Sequence, residues 1–216
     1  MPSEASYVPA AGWKGLTRFY DPIIATTMRE RLFRGKLADL AGAGLPQGGT
    51  LVDVGAGTGT FAIAFAARRP DARVVGIDGD PEIQALARRK PGADAVDWRE
   101  GLAGELPLAD DSADAVTMSL LLHHLLPADK HAALTEVRRV LRRGGRLHIA
   151  DWGRPHDPLM RAAFGVVRIA DGFDQTRDHR TGRLPQIVTD AGFRAVTCRA
   201  RIRTGFGSLE ILTATP

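Results

Sequence analysis

Apolar residues along this chain follow two periods in turn. Short β-branched runs give way to stretches where apolar positions recur every three or four residues, which predicts strands and helices in alternation. Leu51-Val52-Asp53-Val54 is the first strand. It breaks into Gly55, Gly57 and Gly59 and then into an apolar helical run, Phe61 to Ala67, closed by Arg68-Arg69-Pro70 where cations suit the helix macrodipole. Arg73 to Asp78 is a second strand that closes on an acid. Pro81 then opens a helix behind its N-cap Asp80, with Ile83, Leu86 and Ala87 facing inward. Ala93 to Trp98 and Ala113 to Met118 read as strands three and four. Leu134, Val137, Val140 and Leu141 give a helical face ending on Arg142-Arg143-Gly144-Gly145, cations followed by a glycine stop, before a fifth strand from Arg146 to Asp151.

Asp157 to Ala170 and Leu184 to Ala191 read as helices. Phe193 to Ile202 alternates, with Val196, Cys198, Ala200 and Ile202 on one face and Thr197, Arg199, Arg201 and Arg203 on the other, as in a half-buried strand. After Gly205-Phe206-Gly207, the run Leu209 to Ala214 returns as a final strand, antiparallel by hairpin. Ahead of the first strand, Ile24, Met28, Leu32, Phe33, Leu37 and Leu40 mark an amphipathic helix within Ile23 to Leu40, and Gly42 to Gly49 is a loop. Residues 1–47 are therefore expected to be a helical extension. It serves as a cap on one edge of the core, as a lid carrying Trp13, Phe19 and Tyr20, or as both. Residues 48–216 are expected to form the main domain, an α/β sheet with helices on both faces.

Composition narrows the partners. With 216 residues and 44% hydrophobic content, the chain can bury one sizeable core. The 29 Lys and Arg against 25 Asp and Glu leave a charge of +4 with no dense basic block, which makes nucleic acid an unlikely partner. Cys198 is the only cysteine, so no internal disulfide forms, as fits a reducing compartment. The start, Met1 to Ser6, lacks a basic region followed by an apolar one, and no uncharged stretch reaches the length of a membrane span. Cytoplasmic is the expectation.

The glycine turn is built for a ligand, because Gly55, Gly57 and Gly59 let backbone approach a bound molecule where a Cβ would block it. The helix that follows aims free N–H groups at the same place. Asp53, at the strand end, can orient the turn or meet a cation. Asp78, 19 residues after Gly59, is placed to accept both hydroxyls of a ribose. A nicotinamide-dependent oxidoreductase fits less well. Its Gly-x-Gly-x-x-Gly pattern would need glycine where Thr60 stands, and neither Tyr7 nor Tyr20 has a lysine four residues on.

Four ordered signals then carry a resemblance: Val52 to Gly59, Gly76-Ile77-Asp78, Leu106 to Val116 and Arg139 to Gly145. Together they resemble class I S-adenosylmethionine-dependent methyltransferases, in the small-molecule branch that includes the ubiquinone and menaquinone biosynthesis enzymes. Tyr20-Asp21-Pro22 also looks like that branch. The resemblance implies a Rossmann-like, doubly wound, three-layer α/β/α fold, its seven-stranded sheet mostly parallel with an antiparallel last strand. S-adenosylmethionine is the implied cofactor, with no metal expected. It would be bound by Tyr20, Asp53, Gly55, Ala56, Gly57, Gly59, Asp78 and Gly79, by Gly101 and Leu102 at the adenine, and by Ser119 and Leu120 at the methionine end.

The implied reaction is in-line methyl transfer to an O, N or C atom of a small, apolar or aromatic acceptor, by a monomer or homodimer. His123 and His124 are the candidate bases, since imidazole titrates near neutral pH. Being adjacent, they are expected to point apart, so that one at most faces the transfer site. Asp174, Arg177 and His179 lie in a polar stretch that reads as an acceptor wall or as a solvated loop, the loop being favoured. An RNA or protein methyltransferase, or a non-catalytic nucleotide-binding protein of Rossmann-like fold, is the alternative. Against base methylation, Ser119 to Leu122 lacks the Asn/Asp-Pro-Pro-aromatic pattern, and Cys198 falls on the inward face of a late strand.

Overall fold

The computed structural model describes residues 29–216. Tyr20, the aromatic stretch from Trp13 to Tyr20 and the beginning of the predicted first helix lie outside the described residues.

In chain order the elements are α1 (Glu30–Ala43), β1 (Thr50–Val54), α2 (Thr60–Arg68), β2 (Arg73–Asp78), α3 (Pro81–Arg88), β3 (Val96–Glu100), β4 (Ala113–Ser119), α4 (Pro127–Val140), β5 (Leu141–Trp152), α5 (Pro158–Asp171), α6 (Arg177–Thr181), α7 (Leu184–Asp190), β6 (Arg194–Thr204) and β7 (Gly207–Thr215). One seven-stranded sheet holds them in the order β3-β2-β1-β4-β5-β7-β6. β1 pairs in parallel with β2 and β4, β2 with β3, and β4 with β5, whereas β7 runs antiparallel to β5 and β6. The direction of winding reverses between β1 and β4. Their carboxyl ends therefore open a crevice, the place where doubly wound sheets take ligands.

Both faces of the sheet are buried. On one, Phe33 and Leu37 of α1 join Phe61, Phe65, Trp98, Trp152 and Phe164; on the other, Val52, Val54, Ile77 and Met118 meet Leu134 and Val137 of α4 and Phe193. This is why β1 reads as an unbroken apolar run around a single acid. Among the described residues, no helix is long and apolar enough to cross a membrane.

Local departures from the pattern have physical causes. α4 stops at Val140, and Leu141 already pairs with Ala113 of β4, so Gly144, at φ 86°, serves a register shift in the strand rather than a helix stop. Ala93–Ala95 is a 3-10 turn ahead of β3. In α3 the buried positions are Gln84 and Ala87, while Leu86 is exposed; Gln84 turns inward because its amide donates to the Asp78 and Arg99 carbonyls. Leu32 likewise faces out of α1. β6 is an edge strand whose pairing shifts between Arg194 and Thr197 and again between Cys198 and Ala200. These shifts break the simple alternation and leave Cys198 exposed rather than inward.

Candidate functional site

The glycine turn joins the end of β1 to the start of α2. Gly55 and Ala56 donate N–H groups to the Ile77 carbonyl at 2.8 and 2.9 Å, and Gly57 donates to the Asp78 carboxylate at 2.7 Å, so the turn is tied to the end of β2. Gly55, Gly57 and Gly59 have φ of 70°, 54° and 77°, where side chains are strained. Their surroundings differ. A Cβ on Gly55 would lie 2.9 Å from the Leu121 methyls, and one on Gly59 would overlap the Trp98 ring. At Gly57 a Cβ would meet nothing within 4 Å. Gly59 is thus required by packing beneath the turn, and Gly57 faces open space.

Two carboxylates flank this turn. Asp78 also accepts the Asp80 N–H at 3.0 Å; burial pushes its pKa up, against the pull of the Asp80 and Gly57 amides. Asp53 is wholly buried, accepts the Thr117 hydroxyl at 2.7 Å through Oδ1, and has no hydrogen-bond partner at Oδ2. Burial pushes its pKa up to about 7. Gly79 lies beneath Leu102, whose Cδ2 would be 2.8 Å from an added Cβ, and the half-exposed Leu102 roofs the loop where Gly101 donates to the Asp78 carbonyl at 3.1 Å. Gly79, Gly101 and Leu102 therefore stand together beside Asp78. Ser119 ends β4, and Leu120 follows it at φ 52°, a costly conformation for leucine, with its N–H on the Ala150 carbonyl at 2.8 Å.

Beyond Leu120 the chain makes a 3-10 turn, Leu122–His124, capped by Asp151 at the end of β5. Asp151, 0% exposed, accepts the Leu122 N–H at 2.8 Å, the Trp152 N–H at 2.7 Å and His123 Nδ1–H at 2.7 Å. Burial pushes Asp151 up, but His123 and His179 outweigh it and hold the carboxyl well below the usual range. For His123, burial works against the charge, while Asp151 and Asp171 raise its proton affinity overall. His124 goes the other way, pushed down to about 3 by burial and the His123 charge.

The adjacent histidines do not point apart. Their ring centroids are 4.0 Å apart, and both face Asp171 at the end of α5, with His123 Nε2 and His124 Nδ1 each 3.6 Å from its carboxylate. Nor is His179 in a solvated loop. It is fully buried on α6, donates from Nδ1 to the Trp152 carbonyl at 2.7 Å, and has its pKa pushed down to about 4 by burial. Asp174 and Arg177 are exposed as expected. Lys130 of α4, also buried, fixes this segment through the Gln175 carbonyl at 2.6 Å and Asp178 at 3.3 Å.

Asp151 and Asp171 are not among the sequence candidates, and His179 is expected in a loop rather than in the core. Asp151 had a signal, since it closes a parallel strand as Asp53 and Asp78 do. Asp171 had one too, an acid in the last turn of a helix, where the macrodipole disfavours it.

Comparison with known proteins agrees with this architecture. A family model described as a methyltransferase domain matches residues 52–149. The demethylmenaquinone methyltransferase of Deinococcus radiodurans is 40% identical over 116 residues, 53% of this chain and 47% of that protein. That of Thermus thermophilus is 37% identical over 62% of this chain and 59% of its own length, so the chain spans about half the length of these relatives. The malonyl-[acyl-carrier protein] O-methyltransferase of Methylococcus capsulatus is 31% identical over 196 residues, 89% of this chain and 68% of the relative. A solved S-adenosylmethionine-dependent methyltransferase from Aquifex aeolicus shares the fold, with a TM-score of 0.64 and 23% identity, covering 87% of this chain and 93% of its own. With a glycine turn bonded to the acid of the next strand, a crevice at the switch point and a relative matched along most of both lengths, the chain belongs to the class I S-adenosylmethionine-dependent methyltransferases.

Proposed function

We propose that this chain moves a methyl group from S-adenosylmethionine to an O, N or C atom of a small, apolar or aromatic acceptor. The observation that carries this reading is the Gly57 to Asp78 bond at 2.7 Å beside the open space over Gly57. Asp78 spends one lone pair of each oxygen on the Gly57 and Asp80 amides and keeps one on each, which suits two ribose hydroxyls. The buried Asp53 Oδ2 lacks a partner and suits the cationic amino-acid end of the cofactor. Leu102 offers an apolar plate for adenine in place of an acid. Tyr20, from outside the described residues, is a further proposed contact. When bound, the cofactor supplies a methyl group made electrophilic by its sulfonium. The transfer itself needs no metal, and the protein's part is chiefly to position.

His123 is the proposed base. Asp151 fixes its tautomer and orientation through Nδ1, so that Nε2 takes the proton released by the acceptor and the carboxylate steadies the imidazolium. Leu120 and Leu121 provide apolar surface for the acceptor; Phe164 packs on Trp152, centroids 5.7 Å apart, and belongs to the core. The relatives named as demethylmenaquinone methyltransferases support an aromatic acceptor. We place the activity in the cytoplasm. S-adenosylhomocysteine should raise the melting temperature while NAD does not, and labelled methyl groups should appear in the small-molecule fraction. A shift with NAD alone, or label only in RNA, would overturn the proposal.

A further inference from the structure

We propose that His123, His124 and Asp171 bind one divalent transition cation of the zinc class, at the acceptor side of the crevice. One donor atom from each lies within 4.8 Å of the others. Two imidazole nitrogens face one carboxylate, each at 3.6 Å, too long for a hydrogen bond. A tetrahedral ion with ligand bonds of about 2.1 Å sets its donors roughly 3.4 Å apart, so a cation fits between these atoms with small side-chain rotations. Two imidazoles and a carboxylate suit Zn²⁺, Co²⁺, Ni²⁺ and Fe²⁺ over Mg²⁺ or Ca²⁺, and three protein donors leave a position open to a further ligand.

The surroundings are those of a supported metal ligand. Asp151 bonds His123 Nδ1 at 2.7 Å and leaves Nε2 as the donor, the carboxylate–histidine arrangement that orients imidazole toward metals. The side chains of His123, His124 and Asp171 are 5%, 20% and 19% exposed, so the site is sheltered and still reachable. Asp171 also ends α5, where the helix dipole opposes a negative charge, and a bound cation supplies what that position lacks.

The site shares Nε2 of His123 with the base proposed above. Loading the cation therefore blocks proton removal, a consequence that rests on that reading, whereas the binding itself does not. Cobalt(II) titrated into the tag-free chain without cofactor or acceptor should give a visible absorption band with one equivalent, displaced by zinc. Asp171→Asn and His124→Gln should each weaken cobalt affinity at least about tenfold, and Asp151→Asn, which leaves all three donors in place, about 10–100-fold. S-adenosylhomocysteine affinity should be unaltered in the Asp171 and His124 variants, which verifies their folding. Equal cobalt affinity in wild type and Asp171→Asn overturns the proposal, as does cofactor binding and turnover in a chain that takes up no cobalt. Cobalt binding by a chain that, freed of metal, binds no S-adenosylhomocysteine supports the cation site and overturns the enzymatic reading instead.

Discussion

The crevice has two walls made by different means. Around β1 and β2 the wall is backbone. Gly55, Ala56 and Gly57 present amides to the Ile77 carbonyl and the Asp78 carboxylate, and apart from the two acids Asp53 and Asp78 the turn works by lacking side chains. Around β4 and β5 it is side chain. His123 and His124 from one turn, Asp151 from β5, Asp171 from α5 and His179 from α6 converge on one sheltered cluster. A wall of backbone constrains its sequence locally, because each positive φ and each close approach demands glycine at a fixed place. A wall of side chains sets no such local spacing, so it is free to vary with the molecule it must hold.

The proposed division of labour can be broken most sharply at His123. His123→Ala should lower turnover by about 10²–10⁴-fold while leaving S-adenosylhomocysteine affinity as it is, read by steady-state kinetics beside calorimetry. Equal losses in both would mean that the two walls are one site. Asp78→Ala is the converse, expected to weaken S-adenosylhomocysteine by about 10²–10⁴-fold, since it removes two charge-assisted bonds worth about 1.5–3 kcal/mol each. Gly57→Ala places a Cβ in open space at positive φ. It should cost about 1–2 kcal/mol of stability and further weaken the cofactor; unchanged affinity would show that nothing lies over Gly57.

Asp53 gives a pH test. Its folded pKa, about 7, stands above the ordinary 3.8, so the native state holds a proton that the unfolded chain releases. Its contribution to stability is thus greatest at low pH, falls as pH rises from about 4 to about 7, and is level above that. Asp53→Asn should remove the slope, gaining on wild type in melting temperature between pH 5 and 7; parallel curves would refute the assignment. Smallest of all, Cys198→Ser on the exposed edge should stay within about 0.5 kcal/mol in denaturant unfolding.

The same contrast explains what could be read from sequence. The strands up to β5, the turn and Asp78 were legible because periodicity and glycine spacing are local. The fate of His124 was not, because adjacency predicts divergence only in regular structure, and the 3-10 turn capped by Asp151 swings both rings toward Asp171. His179 lies in a polar stretch of sequence, and its burial depends on Trp152, 27 positions earlier. Cys198 was misplaced because register shifts in β6 depend on its partner strand, and a period of two cannot foresee them.

Those register shifts have a bearing on how copies of this protein meet. Among the described residues β6 has no strand on its outer side, and Arg194, Arg199, Arg201 and Arg203 are all exposed along it. Two such edges brought together would set arginine against arginine across strands too irregular to align, so the sheet has no flat template on which to grow. Irregular pairing and a row of cations are the features by which an edge strand resists joining another edge into a fibre.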